Sequence, residues 1–124
     1  MTNVYLAGAY SHPDPEIRHQ RFDRANRMAA HLMDSGLCVY SPVSHSHPIS
    51  FYTEHHANEG DFWLKQCTQM IDWADKMYII NSPDNRESVG VQMEIDMFRA
   101  QKKPIYSINE KFEVWEVYFD YSRP

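Results

Sequence analysis

The chain has 124 residues, 43% hydrophobic and 23% charged, with a formal net charge of −5. This is one domain of globular composition; it excludes an intrinsically disordered chain and the basic face of a general binder of nucleic acid polymers, though not a local site for a small anion. Cys38 and Cys67 show no CxxC spacing, no apolar run reaches membrane length and the start lacks a signal pattern, so a cytoplasmic protein with no membrane partner is expected.

Val4 to Ala7 is a short apolar run ending at Gly8, read as a first buried strand. The segment AYSHPDP follows as a loop. Asp14 is placed to cap a helix with Pro15 at its first position. Phe22, Ala25, Met28, Ala29 and Leu32 share one face of that helix, and Gly36 stops it. Leu37 to Ser41 is the second strand, and residues 41–60 read as a long polar loop holding four of the seven histidines. Asp61 to Ala74 is the next helix, with Trp63, Leu64, Cys67, Met70, Ile71 and Ala74 inward. Met77 to Ile80 is a third strand, NSPDNRE a loop, Ser88 to Lys102 a helix and Pro104 to Ile108 a fourth strand. The aromatic tail EVWEVYFDYSRP has no clear period and is expected to cover a sheet edge or to pack on another subunit.

This alternation predicts a single α/β domain over residues 1–124. Its doubly wound parallel sheet is Rossmann-like (flavodoxin-like), with four to five strands and helices on both faces. Ligands of such sheets bind beyond the carboxyl ends of the strands. Three loops leave those ends, 8–15, 41–60 and 81–88, and they are rich in Ser, His and Asp.

The stretch SVGVQMEI carries an anomaly. At ~100° per residue, Glu94 falls inside the apolar arc of its helix, between Val91, Ile95 and Phe98 on one flank and Met93, Met97 and Ala100 on the other. Ser88 and the N–H groups near Gly90 can hold a phosphate or a sugar hydroxyl at the helix N-terminus. An inward Glu94 beside them would serve as a nucleophile on an anomeric carbon or as a general base. The alternative is a slightly rotated helix with Glu94 paired to a basic residue at the rim.

In the first loop, Gly8 permits close backbone approach of a ligand, Tyr10 and Ser11 offer hydroxyls, and Arg18 and Arg21 are placed to reach an anion. A plain turn with solvated arginines fits the same residues. His45 and His47 form an H-x-H pair, with His55 and His56 nearby. With Asp61 as a third ligand they could hold a metal, yet the spacing fits a hydrogen-bonded loop equally, and a histidine contacting substrate is preferred to a metal site. No cofactor is expected.

Taken in order, VYLAGAYSHPDPEIRHQRF, VYSPVSHSHPI and RESVGVQMEI…KKPI resemble the nucleoside 2-deoxyribosyltransferase-like superfamily, over roughly residues 3 to 108. The resemblance is strongest to a small branch with SHPDP, HSHP and SxGVxxEI motifs. It implies a sheet of about five parallel strands and N-glycosidic cleavage or transfer on a 2′-deoxynucleoside or its 5′-monophosphate. Glu94 is the implied nucleophile, forming a glycosyl-enzyme that water or a second base resolves. Ser88 matches a 5′-phosphate position, and Tyr10 and Ser11 match the stretch closing over sugar and base, so Tyr10 joins Glu94 as a catalytic candidate. Gly8, Ser11, Arg18, His45, His47, Ser88 and Gly90 are the substrate-binding candidates. A homodimer or dimer-based oligomer is also implied.

The chain departs from that pattern. Cys67 stands where deoxyribosyltransferases usually carry an aspartate that positions the sugar and manages the leaving base's proton. Asp61 and Asp72 lie roughly 100° or more around the same helix. Asp96 stands where many relatives have glycine, and Ala9 where proline or serine is common. A nucleotide-binding or sensing module that has lost turnover is therefore the competing reading, and a metal-dependent hydrolase built on the histidines a third.

Overall fold

A computed structural model describes residues 1–54 and 59–117. Strand β1 (Asn3–Ala7) is followed by helix α1 (Pro15–Asp34), β2 (Cys38–Tyr40), α2 (Pro42–Ile49), α3 (Gly60–Trp73), β3 (Lys76–Ile80), α4 (Pro83–Glu87), α5 (Val89–Ala100), β4 (Ile105–Ile108) and β5 (Val114–Val117). The sheet runs β2-β1-β3-β4-β5. Its first four strands are parallel, and β5 pairs antiparallel to β4. This is a Rossmann-like, flavodoxin-like order, whose switch point lies between β1 and β3.

Alternation along β1 builds the two layers. Val4 and Leu6 point to one face, against Ala25, Met28, Ala29 and Leu32 of α1 and Val43 of α2. Tyr5 and Ala7 point to the other, against Cys67 and Ile71 of α3 and Phe98 of α5. β1 is covered on both sides, so it reads as a continuous apolar run.

The termini of α1 follow the expected signals. The Asp14 carboxylate accepts from the Glu16 N–H at 2.9 Å, Pro15 occupies the first turn, and Gly36 takes a left-handed φ of +94° after the last turn. Two segments expected as loops are helical. Residues 42–49 form α2 because Ser41 caps it, accepting from Ser44 N–H, and Pro42 sits where no amide donor is needed. Pro48 enters only in the last turn, so it does not prevent the helix. Residues 83–87 form α4, again opened by a proline. The tail extends the sheet edge as β5, with Trp115 43% exposed; Tyr118, Phe119 and Tyr121 lie outside the described residues. Among the described residues no helix is long and apolar enough to cross a membrane.

Candidate active site

A cavity of about 520 Å³ opens at the carboxyl ends of β1 and β3, the switch point of the sheet. The loop after β1 contributes Gly8, Tyr10 and Ser11, and the first turns of α5 contribute Ser88, Gly90 and Glu94. The start of α2 and the first two turns of α3 form the remaining walls.

Glu94 lies 8% exposed among Val91 and Phe98, the inward position its place on the helix predicts. The Tyr5 hydroxyl, from the middle of β1, donates to Glu94 Oε2. Burial pushes the Glu94 carboxyl up to about 7, against the opposing pull of that hydrogen bond. Burial, with the Glu94 charge behind it, also holds the Tyr5 phenol well above its ordinary range, so Tyr5 remains a donor. Behind the pair, Cys67 Sγ lies 3.8 Å from the Tyr40 hydroxyl. Burial raises the Cys67 thiol, which Tyr40's hydrogen bond only partly offsets, and it stays an uncharged SH.

Ser88 caps α5: its Oγ accepts from the Val91 N–H at 3.3 Å, which leaves the hydroxyl hydrogen to donate. A Cβ added to Gly90 would meet only Ser88 Oγ, at 3.8 Å, so this turn faces open space. Asn85, 2% exposed on α4, ties the two halves of the rim together. Its Oδ1 accepts from the Ala9 N–H at 2.5 Å, and its Nδ2 donates to the Ile80 carbonyl.

The structure brings Gly8, Tyr10, Ser11, Ser88, Gly90 and Glu94 to one cavity; Arg18, His45 and His47 are not in its lining. Arg18 turns away because its Nη1 donates to the carbonyls of His12 and Pro13, fixing the SHPDP turn. His45 is exposed on α2, with its ring 5.7 Å from that of Tyr40. His47 is buried behind Tyr10, its Nδ1 2.5 Å from the Tyr10 hydroxyl. His55 and His56 lie outside the described residues. Among the described residues no three His, Cys, Asp or Glu side chains converge as a metal-binding set.

Arg21 does line the cavity, but its Nε and Nη1 are engaged. Nε pairs with Asp84 at 3.0 Å, and Nη1 donates to the carbonyls of Tyr10 at 3.3 Å and Ser11 at 2.8 Å. Asp84 also takes Arg24 at 3.1 Å. Burial alone would push the Asp84 carboxyl up; the Ser82 hydroxyl, Arg24 and Arg21 together outweigh it and hold it low. The Tyr5–Glu94 contact and the Asp84 pairs have no local sequence signal, because their partners lie 60 or more residues apart.

The model of a family described as a domain of unknown function, DUF1937, matches residues 2–110. No curated protein matches the sequence. Among solved structures, a 2-deoxyribosyltransferase from the psychrotolerant bacterium Bacillus psychrosaccharolyticus superposes with a TM-score of 0.58 at 22% identity, covering 87% of this chain and 72% of its own. That enzyme is described as a biocatalyst for the synthesis of antiviral and antitumoral nucleosides. The likeness is one of fold.

Proposed function

The chain belongs to the DUF1937 family, and within it we propose an enzyme that cleaves or transfers the N-glycosidic bond of a 2′-deoxynucleoside or its 5′-monophosphate. The observation that carries this reading is Glu94, a buried carboxyl in the wall of a cavity at the switch point of the sheet and hydrogen-bonded by Tyr5. The fold shared with a 2-deoxyribosyltransferase supports it.

In the reaction, ionised Glu94 attacks C1′ of the sugar and forms a glycosyl ester. The C1′–N bond breaks, and its electron pair leaves with the base, which takes up a proton. Negative charge on the departing or returning carboxylate stabilises the oxocarbenium-like transition states. Water then attacks C1′, releasing Glu94 and the free sugar, or a second base attacks and completes transfer. With its pKa pushed up to about 7, Glu94 is protonated in acid, so the first step requires neutral to alkaline pH. Ser88 and the Gly90 N–H hold the 5′ end of the sugar, and Tyr10 and Ser11 close over it from the β1 loop. Because Arg18 lies outside the lining and Arg21 commits its Nε to Asp84 and its Nη1 to backbone carbonyls, the 5′ subsite relies on Ser88 and backbone donors. The uncharged nucleoside is therefore the better-matched substrate of the two.

The test is incubation with deoxynucleosides and their monophosphates, followed by chromatography for free base, with Glu94→Gln as control. Base release that persists in Glu94→Gln would end this reading. The second reading, a nucleotide-binding module without turnover, draws on Cys67, whose buried neutral thiol supplies no carboxyl for the leaving base. Nucleotide binding without base release, together with turnover gained in Cys67→Asp, would favour it.

A further inference from the structure

The geometry points to His47 as a positioning residue that fixes the hydroxyl of Tyr10 as a hydrogen-bond acceptor toward the cavity, selecting ligands that present a donor there. This rests on the functional reading above only in taking Tyr10 as a contact of the bound deoxynucleoside. His47 itself lies behind the wall, 7% exposed, while Tyr10 forms part of the cavity surface.

The two side chains meet with Tyr10 Oη 2.5 Å from His47 Nδ1. One hydrogen lies between them. A phenol is the stronger proton donor and an unprotonated imidazole nitrogen the stronger acceptor, so the favoured arrangement is O–H···N, with the imidazole hydrogen on Nε2. The phenol has only one hydrogen. Once it is directed at His47, the oxygen can offer only lone pairs to a ligand. A sugar hydroxyl or a base amino group is then accepted, and a ligand group with lone pairs alone is refused, because it would leave the phenol oxygen facing another acceptor.

The surroundings hold the imidazole in place and uncharged. Its ring packs 4.4 Å from Phe22, 5.2 Å from Phe51 and 5.4 Å from Tyr10. Among the described residues, the titratable and charged groups facing it are Tyr10 on the β1 loop and Arg18 and His19 on α1, with the His19 ring 6.0 Å away. Burial first, then the positive charges of His19 and Arg18, lowers the His47 pKa. In sufficiently acid solution His47 gains a second hydrogen at Nδ1. The bond then reverses, and the Tyr10 hydrogen turns toward the cavity. One proton thus exchanges the acceptor for a donor.

The first measurement needs no substrate: imidazole 15N chemical shifts of the intact protein, assigned with His47→Asn. The expected result is His47 protonated at Nε2, with an unprotonated Nδ1 whose shift moves in Tyr10→Phe. Protonation at Nδ1 at neutral pH, or no response to Tyr10→Phe, would overturn the proposal whatever the enzyme does. The second is KM and kcat against pH for a deoxynucleoside whose base is released. His47→Leu, which removes the acceptor, is expected to raise KM about 3- to 10-fold with kcat little changed. His47→Asn, which keeps an acceptor, should stay within about twofold at neutral pH and lose the acid rise in KM shown by the natural protein. Glu94 titrates equally in all these variants, so the ratio of their profiles isolates His47. Equal KM in all three proteins would refute the role of His47, whereas absence of base release from every substrate would sink the catalytic reading and leave the 15N result standing.

Discussion

Two of the carboxyl groups that line the cavity, Glu94 and Asp84, are held in opposite ways. Among the described residues, Glu94 is surrounded by apolar side chains and has one hydrogen-bond donor, Tyr5, with no cation beside it; burial therefore dominates and its pKa rises to about 7. Asp84 also feels burial, but Ser82, Arg24 and Arg21 supply enough opposing charge and hydrogen bonding to keep it ionised. The first arrangement destabilises an anion at neutral pH and leaves it reactive. The second stabilises an anion and spends its arginines on doing so. On the proposed reading, the difference separates the reacting group, Glu94, from a structural one, Asp84.

The sharpest way to break that contrast is Glu94→Gln. If Glu94 is the nucleophile, base release falls by at least on the order of 10³-fold, measured by chromatography of free base. The same variant tests the electrostatics through stability. A carboxyl whose folded pKa stands above its unfolded value contributes stability that is fully present below the unfolded pKa and is lost as pH rises through the folded one. With about 7 folded against an ordinary 4.5, that loss amounts to about 3 kcal/mol between pH 4 and pH 8. Glu94→Gln has no such group and still accepts from Tyr5. It is expected to match the natural protein near pH 4 and to exceed it at pH 8, in parallel thermal melts. Equal melting curves at both pH values would place Glu94 in contact with water.

The inward carboxyl was legible because a helix face is a local pattern: Glu94 shares its arc with Val91 and Phe98 within seven residues of chain. The four parallel strands and the two covering layers were legible for the same reason. What Tyr5 does was not. In a four-residue apolar run its hydroxyl carries no periodicity, and its partner lies 89 residues away. Helix α2 was hidden by composition, since Ser, His and Pro are read as loop formers, while Ser41 and Pro42 in their actual places are a cap and a first turn. Arg18 and His47 were legible as polar groups near the right loop. Whether they faced the cavity or the turn behind it depended on tertiary partners such as His12 and Tyr10.

The other carboxyl of the comparison is probed by Asp84→Asn, an effect of intermediate size. Asn keeps the shape but leaves Arg21 and Arg24, with side chains 14% and 19% exposed, without their counter-charge. A partly exposed pair of this kind is worth about 1–2 kcal/mol, so the melting temperature should drop by several degrees at neutral pH. Because the Asp84 pKa is lowered, its stabilising contribution is present above the ordinary carboxylate range and fades as pH falls through its folded pKa. The deficit of Asp84→Asn should therefore shrink in acid. Arg21, released at the cavity wall, becomes available to a phosphate. Binding of a deoxynucleoside monophosphate relative to its nucleoside should improve by up to about tenfold in titration calorimetry. An unchanged ratio would mean that Arg21 is held by the Tyr10 and Ser11 carbonyls alone.

The smallest expected effect belongs to Gly8→Ala, and it asks whether the glycine serves the fold or the ligand. An added Cβ would stand 3.0 Å from Ile80 Cδ1 and 3.7 Å from Cγ1, tight but against the free end of a side chain. The Ile80 carbonyl is held by Asn85, so the side chain has to yield while the backbone stays in place. A small rotation of Ile80 costs roughly 1 kcal/mol, and alanine recovers about 0.4–1 kcal/mol by restricting the unfolded chain. Stability should consequently change by less than about 1 kcal/mol. Gly8 itself lines the cavity, so any shift of its backbone made to accommodate the methyl is felt by a ligand that approaches the backbone. If the glycine is there for the ligand, KM rises severalfold while the melting temperature hardly moves; a fall in melting temperature at constant KM assigns the glycine to the packing of Ile80 instead.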